Sequence, residues 1–543
     1  MLRLSSLLLL SALVSTLSAA PAITSVANAA SNISLASPLA QGAIFVIYGS
    51  GLGPSTIAFA PAAFQSSTLS GTSVAVTVGA TTVSALMYYT SAKQVAALLP
   101  SDTPTGSATI TVTYQGEASN TLTVGVVANN LGVFSLDSSG AGPGIVTYAD
   151  YSLVSAAKAS PCGGPNTACG AANPGDTLIL WGTGLGPITG SDAMGAGLGV
   201  NMPDIPLTLW LGGVQAPVTY QGRSGCCIGE DQIVFTVPNN VPTGCAVPLV
   251  VQIDNHISNT TVMPVAALGD RNCTPTNPAF AAANVEQVVM AGPLMMGNIG
   301  LQKIAASSGA GYQDMAFFEF FDETPRAGSQ PFYVSYTDIQ PVGTCRVYNG
   351  INADKTVPNV GSTNLDAGSS FMVTGPNGTV AVTGQPGDFS ATLSAAGTFL
   401  VPGAFTVTGS GGANVGAINA NITVPNPPTL VSPMSASGLT VTRSSPMTVT
   451  WTGGDPNGTV QFQLASATDG SYTAGADAQC TAPASAGTFT IPTYVLLALP
   501  AGNFGRFQFS PAVTMVPFTA TGLNLGILST SSAGTSFSGF TLQ

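Results

Sequence analysis

The chain has 543 residues and a formal net charge of −12, and only 6% of its residues are charged. Its eleven lysines and arginines are scattered along the sequence, so it lacks the basic patch that nucleic acids or an anionic membrane surface require. Hydrophobic residues make up 45% of the chain, which argues against a disordered protein. Sixty-four glycines and thirty-nine prolines between Val- and Thr-rich runs indicate short strands joined by turns.

Residues 1–20 predict a secretory signal peptide. Arg3 supplies the positive start, Leu4 to Leu17 the apolar stretch, and Ser18 to Ala20 the small residues of a cleavage site. An uncleaved N-terminal anchor is the alternative. No later segment offers ~20 uninterrupted apolar residues, so we expect no membrane span in the mature chain. The expected location is therefore secreted or cell surface.

Two segments at the ends of predicted strands have nearly the same sequence, Ile44 to Pro54 (IFVIYGSGLGP) and Leu178 to Pro187 (LILWGTGLGP). Similar short segments follow each of them in the same order; for example, Ser119-Asn-Thr in the first copy corresponds to Ser258-Asn-Thr in the second. The offset between the copies drifts only from 133 to 139 residues. A tandem domain repeat explains this order, with the first copy at 21–134 and the second at 135–272.

The second half of the chain is less regular. Residues 273–425 predict a β-rich third domain with one short helix at 279–291. Strand-like runs in this part cover Ile299 to Ile304, Met315 to Phe321 and Cys345 to Tyr348.

Pro425-Asn-Pro-Pro428 predicts a linker, after which residues 426–543 form a fourth domain. Trp451 ends an alternating strand there and is expected in the core. The predicted fold class is therefore all-β, with serial antiparallel β-sandwiches of immunoglobulin type in about four domains.

The two Gly-rich turns, each between a β-branched strand and an alternating apolar strand, resemble those of the IPT/TIG family of immunoglobulin-like domains. Residues 21–270 are also similar to the tandem modules of a large group of exported bacterial proteins of uncharacterised function. The matching words are Pro21 to Ala30, Cys226 to Ile233 and Gly244 to Leu249. The last unit weakly resembles a fibronectin type III domain. These resemblances imply fold and export and bring no catalytic residue.

Eight cysteines in an exported chain predict disulfides. Two of them flank a short Gly/Pro loop and are expected to pair locally, whereas two are adjacent and would be strained if bonded to each other. The expected partners are Cys162 with Cys169; Cys226 and Cys227, each with one of Cys245 and Cys273; and Cys345 with Cys480. Metal binding is the alternative. The chain has a single histidine and lacks a Cys-x-x-Cys motif, however, so no metal site is predicted.

The glycine turns do not predict a phosphate site. Phosphate loops need a helix N-terminus directly after the glycines, whereas Pro54 and Pro187 close these turns and no helical periodicity follows. His256, the one histidine, lies at a predicted hairpin tip and is interpreted as an exposed turn residue. We therefore predict no cofactor and no catalytic residue.

Acidic residues give the strongest enzymatic alternative. Glu319, Asp322 and Glu323 in residues 274–425 could serve a carboxylate-dependent glycan hydrolase, and Glu230-Asp231 is a second acidic pair. In this strand Phe317 and Glu319 share one face and Phe318 and Phe320 the other. A structural strand whose aromatic side chains pack in the core, with acids at its end, is favoured.

Oxygen ligands occur in the turn that holds Asp455 and Asn457, and Ca²⁺ accepts such loops. One carboxylate supplies little charge for a tight site, however, and Asp-Pro-Asn-Gly is already a good turn sequence. A structural turn is therefore favoured over a calcium site.

Exposed aromatic side chains are the favoured functional elements, because sugars and protein anchors both use them. The candidates for ligand contact are Tyr88, Tyr89, Trp210 and Tyr220, whereas Trp181 and Tyr48 are expected in the core. The favoured function is a non-catalytic exported module for binding, adhesion or spacing, with a glycan or protein ligand. The alternatives are the glycan hydrolase and a purely structural envelope or matrix component.

Overall fold

The computed structural model of the protein describes residues 20–33, 37–61, 66–159, 162–192, 199–276, 294–305, 311–323, 340–349, 362–435, 438–470, 475–511, 513–532 and 534–543. The helix expected at 279–291 and all but the last residue of the expected signal peptide lie outside these ranges.

The first unit is a sandwich of two sheets built from twelve strands. One sheet has the order β1-β3-β9-β8-β4, and the other has the order β2-β12-β10-β6-β5 with β7 and β11 at its margins. Alternating side chains such as Val74, Val76, Ile110 and Val112 are buried between the sheets, because successive residues of a strand point to opposite faces. The strands are β1 (Ala22–Asn28), β2 (Leu39–Ala40), β3 (Ile44–Ser50), β4 (Ala58–Phe59), β5 (Thr68–Leu69), β6 (Thr72–Val78), β7 (Thr81–Ser84), β8 (Leu86–Thr90), β9 (Gln94–Leu98), β10 (Gly106–Tyr114), β11 (Glu117–Ala118) and β12 (Leu122–Val127).

The second unit repeats this arrangement. Its sheets have the orders β13-β15-β20-β19-β16, with β14 on β15, and β18-β17-β21-β22, with β23 on β21. Strand β15 carries the second glycine turn and pairs with β20, just as β3 pairs with β9 in the first unit. The strands are β13 (Gly132–Val133), β14 (Val146–Thr147), β15 (Thr177–Thr183), β16 (Val200–Asn201), β17 (Leu207–Leu211), β18 (Val214–Ala216), β19 (Val218–Arg223), β20 (Asp231–Thr236), β21 (Gly244–Ile253), β22 (His256–Ile257) and β23 (Thr261–Val265).

The rest of the chain forms a ten-stranded sheet, which we call the third unit, and a sandwich of a six-stranded and a three-stranded sheet, which we call the fourth unit. One short α-helix, α1 (Thr493–Ala498), and a 3-10 turn at Ala484–Ala486 occur in the described part of the fourth unit. The strands are β24 (Leu294–Ala305), β25 (Tyr312–Glu323), β26 (Cys345–Asn349), β27 (Ser362–Asn364), β28 (Ser370–Gly375), β29 (Gly378–Gln385), β30 (Asp388–Ser394), β31 (Gly403–Gly409), β32 (Ile418–Val424), β33 (Pro428–Ser432), β34 (Thr440–Val441), β35 (Met447–Gly453), β36 (Thr459–Ala467), β37 (Gly475–Pro483), β38 (Thr488–Ile491), β39 (Gly502–Pro511), β40 (Thr514–Phe518), β41 (Leu525–Ser531) and β42 (Thr535–Leu542).

The third and fourth units exchange strands across the boundary expected at 425/426. The third unit has the order β32-β31-β28-β29-β30-β25-β24-β41-β40, with β27 on β25, so two strands from the end of the chain complete it. The fourth unit has the order β26-β37-β36-β39-β42-β34 in its larger sheet, so a strand from before residue 350 completes that sheet. The expected boundary is therefore wrong for these strands, because β24 pairs in parallel with β41 and β26 pairs with β37.

Other expectations for this half are met. The three strand-like runs lie in β24, β25 and β26. Trp451 is 3% exposed in the core of the fourth unit, and its indole nitrogen donates to the carbonyl of Ala484 at 2.7 Å. The fold class is thus all-β, with serial sheets that are mainly antiparallel and pack as sandwiches.

The units pack directly against one another. Ala246 and Val262 of the second unit share a buried cluster with Leu294 and Ile527 of the third unit. Trp210 of the second unit stacks on Tyr494 of the fourth, with ring centroids 4.8 Å apart. Among the described residues, no helix has the length and apolar character needed to cross a membrane.

The disulfides differ from the expected set in one respect. Cys162 joins Cys169 and Cys345 joins Cys480, which are the two pairs expected from the sequence. The adjacent Cys226 and Cys227 join each other, however, and Cys245 joins Cys273. The expected bonds from the adjacent pair to Cys245 and Cys273 are therefore wrong. Cys245 and Cys273 are buried on the side of the second unit that faces the third, whereas the loop with the adjacent pair contacts the first unit.

Candidate functional site

Two of the aromatic candidates lie in contacts between units. The hydroxyl of Tyr88 donates to the carbonyl oxygen of Ile228 in the second unit. Trp210 is half-buried against Tyr494, and its indole nitrogen donates to Gln252 at 3.2 Å. Their role in docking one unit on another makes them poor ligand contacts.

The other aromatic candidates are half-buried. Tyr220 donates to the carbonyl of Arg223 at 2.8 Å within its own sheet. Tyr89 lies beside Phe59, which is 66% exposed, with ring centroids 5.9 Å apart. Of the two aromatics expected in the core, Trp181 is buried, whereas Tyr48 is half-buried and donates to Asn32 at 2.9 Å.

Several buried or half-buried tyrosines have raised phenol pKa values. Burial raises the pKa of Tyr89 to about 12 and that of Tyr148 to about 12, and it raises the pKa of Tyr88 and Tyr494 further. The folded state then holds these protons at a pH where the unfolded chain, with phenol pKa near 10, has lost them.

We therefore expect folding stability to fall as the pH rises from about 10 towards 12, because the stabilisation linked to these phenols is complete only below the unfolded pKa. Absorbance titration near 295 nm checks this: a subset of the thirteen tyrosines should ionise late in the native protein and near 10 in denaturant. A single native transition near 10 that includes all thirteen would contradict it.

The acidic candidates do not converge on a groove. Glu319 is exposed on the outer face of β25, where its cross-strand neighbours are Asn298 and Asp388, while Phe318 and Phe320 fill the core. Asp322 is half-buried farther along the strand, and the side chain of Glu323 lies outside the described set. A general acid needs a desolvated environment, which exposed Glu319 does not have.

The second acidic pair has a structural role. Asp231 is fully buried and forms an ion pair with Arg223 at 2.6 Å, and it also accepts the N–H of Leu185 at 2.7 Å. Burial raises the pKa of Asp231 to about 6 against the lowering effect of Arg223, so the carboxylate is ionised at neutral pH. Burial likewise raises the pKa of Glu230. The pair Arg223–Asp231 fixes the base of the loop that contacts the first unit.

Two further candidates are turn residues. His256 is exposed at the tip of a hairpin, as expected. Asp455 accepts the N–H of Asn457 at 2.9 Å, which is an Asx turn that uses one of its two carboxylate oxygens.

A cleft of about 690 Å³ lies between the third and fourth units. The third unit contributes Asn421 and Thr423 from β32, and the fourth contributes Gln461 from β36 and the turn that holds Asp455. The expected linker, of which Pro425, Asn426 and Pro428 line the cleft, crosses between these two walls. The volume falls within the range of small-molecule sites.

The cleft has a mixed polar and apolar lining that is nearly uncharged. Asp455 is the one acidic residue among the described residues that line it, and none of those residues is basic. The other polar groups are amides and hydroxyls, and the apolar surface comes from prolines, Phe405, Met515 and several aliphatic side chains. Such a lining can hydrogen-bond a neutral polyol and offers no counter-charge for a phosphate or a sulfate.

One wall of the cleft holds an unsatisfied acceptor. Gln340 is 2% exposed, and its amide nitrogen donates to the carbonyls of Thr344 at 2.7 Å and Gln479 at 3.4 Å. Its side-chain oxygen has no hydrogen-bond partner among the described residues. An unpaired buried acceptor costs about 1–3 kcal/mol, and because this oxygen is itself buried, the cost falls on folding of the cleft wall.

The sequence predicted the linker in this cleft but not the cleft itself. Its walls come together only because β40 and β41 return to the third unit, and that return has no local signal. The one available hint is composition, since Asn and Thr alternate with apolar residues from Asn419 to Thr423.

No protein-family model and no curated protein matches the chain. Solved structures that resemble it include a Ca²⁺-stabilised ice-binding adhesin of an Antarctic bacterium, with 12% identity, TM-score 0.12, and coverage of 93% of this chain and 95% of that one. Domains 5–6 of the S-layer protein SbsC match with 12% identity and TM-score 0.17, over 46% and 99% of the two chains. A Bacteroides ovatus glucan-utilisation protein, SGBP-B, in complex with a mixed-linkage heptasaccharide, matches with 14% identity and TM-score 0.14, over 78% and 87%. These likenesses are too distant to bear on what this chain binds.

Proposed function

We propose that this protein is an exported, non-catalytic binding protein whose ligand is a neutral, hydroxyl-rich molecule of the glycan class. The observation that carries the proposal is the cleft between the third and fourth units, whose described lining offers amides and hydroxyls and a single charged group, Asp455. Signal-like residues 1–20 and four cysteine pairs support export.

The domain organisation that supports this function is also a proposal. We infer two IPT/TIG-type domains close to the expected 21–134 and 135–272, with β13 (Gly132–Val133) already in the second, followed by two units that share strands across residue 425. The direct packing of the second unit on both later units would hold the cleft at a fixed position. The first two domains would then act as a spacer.

The hydrolase alternative finds less support. Glu319 and Asp322 do not line the cleft, and Glu319 faces solvent. A hydrolase would need two carboxyls on opposite sides of a bound sugar, whereas the described lining offers one, Asp455.

A glycan array probed with the mature protein, beside a glycan hydrolysis panel and cell extracts, tests the proposal. We expect saturable binding to neutral glycans without turnover, unchanged in Glu319→Gln. Turnover that Glu319→Gln abolishes would overturn the proposal in favour of the hydrolase. Self-association with no saturable ligand would overturn it in favour of a structural envelope or matrix component.

A further inference from the structure

The loop from Ser224 to Asp231 of the second unit inserts into the first unit. At its centre, Ile228 is 5% exposed and packs in a cluster with Ile44, Leu86 and Leu98. The loop therefore contributes a buried apolar side chain to the contact between the two repeated domains.

Hydrogen bonds reinforce this contact at Ile228 and at the following residue, Gly229. Tyr88 donates to the Ile228 carbonyl, and Thr183 donates to the Gly229 carbonyl at 2.6 Å. The same Thr183 hydroxyl accepts the backbone N–H of Ile44 at 2.9 Å. One hydroxyl thus links the loop, the second glycine turn and the first unit.

The backbone of the loop has little freedom at this point. Gly229 has φ of 73°, and a Cβ on it would lie 2.2 Å from Cδ1 of Leu98 and 2.9 Å from Cγ1 of Ile44. Because the first unit packs directly on the glycine backbone, a small change in the path of the loop would separate the two surfaces.

The disulfide between Cys226 and Cys227 lies directly before Ile228. A bond between adjacent cysteines closes a ring that includes their shared peptide group, so it restricts the backbone of both residues. Cys226 is exposed and Cys227 is half-buried, which leaves one sulfur open to attack from solvent. The described residues contain no other disulfide in the contact between the first two units.

We propose that Cys226–Cys227 is a thiol–disulfide exchange site that controls the docking of the first unit on the second. A thiolate of a small external thiol attacks Cys226 Sγ, the Cys226–Cys227 bond breaks, and Cys227 leaves as a thiolate that takes up a proton. A second external thiolate attacks the outer sulfur of the mixed disulfide, which releases the external disulfide and the Cys226 thiolate. The two cysteines gain two electrons and the two external thiols lose them. The opened ring frees the backbone before Ile228, and the contact loosens.

Hydrogen exchange on the full mature chain tests the proposal. The reporters are the backbone N–H groups of Ile44, bonded to Thr183, and Ser101, bonded to Asp192 at 2.6 Å, because both bonds cross between the units. We expect Cys226→Ala/Cys227→Ala to exchange at these amides about ten-fold faster, equivalent to roughly 1.4 kcal/mol of local stability. The matched control Cys162→Ala/Cys169→Ala removes a disulfide from another loop of the same unit and should leave them unchanged.

Wild-type protein treated with a limiting dithiol gives an independent arm that needs no variant. Mass spectrometry of alkylated peptides identifies the molecules in which only Cys226 and Cys227 are reduced, and their reporter amides should also exchange faster and recover on reoxidation. Unchanged exchange at both reporters in the double variant and in the selectively reduced protein would overturn the proposal. Resistance of this pair to the dithiol while the other three disulfides are reduced would also overturn it.

Discussion

A fragment that ends at Asn426 will fail to form the third unit. In the full chain β41 pairs in parallel with β24 from Met296 to Gln302, and Phe518, Ile527 and Leu528 are buried on or beside the ten-stranded sheet. Each such side chain contributes about 1.5–3 kcal/mol on burial, and their combined loss is comparable to the ~5–15 kcal/mol of a whole domain. The complementary fragment 426–543 lacks β26 and leaves Cys480 without Cys345.

Circular dichroism and thermal unfolding of the three fragments check this. Fragments 273–426 and 426–543 should show no cooperative transition, whereas 20–276, which contains both sheets of each repeat, should unfold cooperatively. Cooperative unfolding of fragment 426–543 alone would contradict the strand exchange.

Replacing Asp314 by alanine should destabilise the third unit by roughly 3–5 kcal/mol, because it breaks a buried ion pair and leaves several donors unpaired. The Asp314 carboxylate is fully buried and accepts Lys303 at 2.7 Å. It also accepts the backbone N–H groups of Phe399 and Leu400 at 2.7 and 2.8 Å, which ties β25 to the loop before β31.

The matched control is Asp388→Ala, an exposed aspartate on the neighbouring strand β30, for which we expect a change within about 0.5 kcal/mol. Chemical denaturation of both variants gives the comparison. Equal loss in the two variants would show that burial of Asp314 is not the source of the effect.

The repeat and the sandwich fold could be predicted from the sequence because both leave local signals. Alternation of side chains such as Val74 and Val76 reports which face is buried, and the glycine turns mark the same point in two copies. The return of β40 and β41 could not be predicted, since pairing between strands more than a hundred residues apart leaves no pattern in either strand. For β26 the sequence held one signal, the expected Cys345–Cys480 pair, which joins β26 to β37.

The candidate site residues also divide into those with a local sequence signal and those whose position depends on non-local contacts. Glu319 as an exposed residue and Phe318 as a core residue followed from strand alternation alone. Tyr88 and Trp210 were expected at a ligand because a sequence does not distinguish a partner molecule from the next domain of the same chain. The pairing of Cys226 with Cys227 was missed because the contact with the first unit, which sets the path of that loop, is equally non-local.

The most direct test of the binding cleft compares two substitutions on one strand. Asn419, Asn421 and Thr423 lie on the same exposed face of β32, but only the last two line the cleft. A tryptophan at Thr423 would fill the space opposite Gln461, whereas a tryptophan at Asn419 lies outside it. Titration calorimetry with a glycan identified on the array should show loss of at least about ten-fold in affinity for Thr423→Trp, which is roughly 1.4 kcal/mol, and no change for Asn419→Trp. Equal affinity of Thr423→Trp and the wild-type protein would contradict the assignment of this cleft as the binding site.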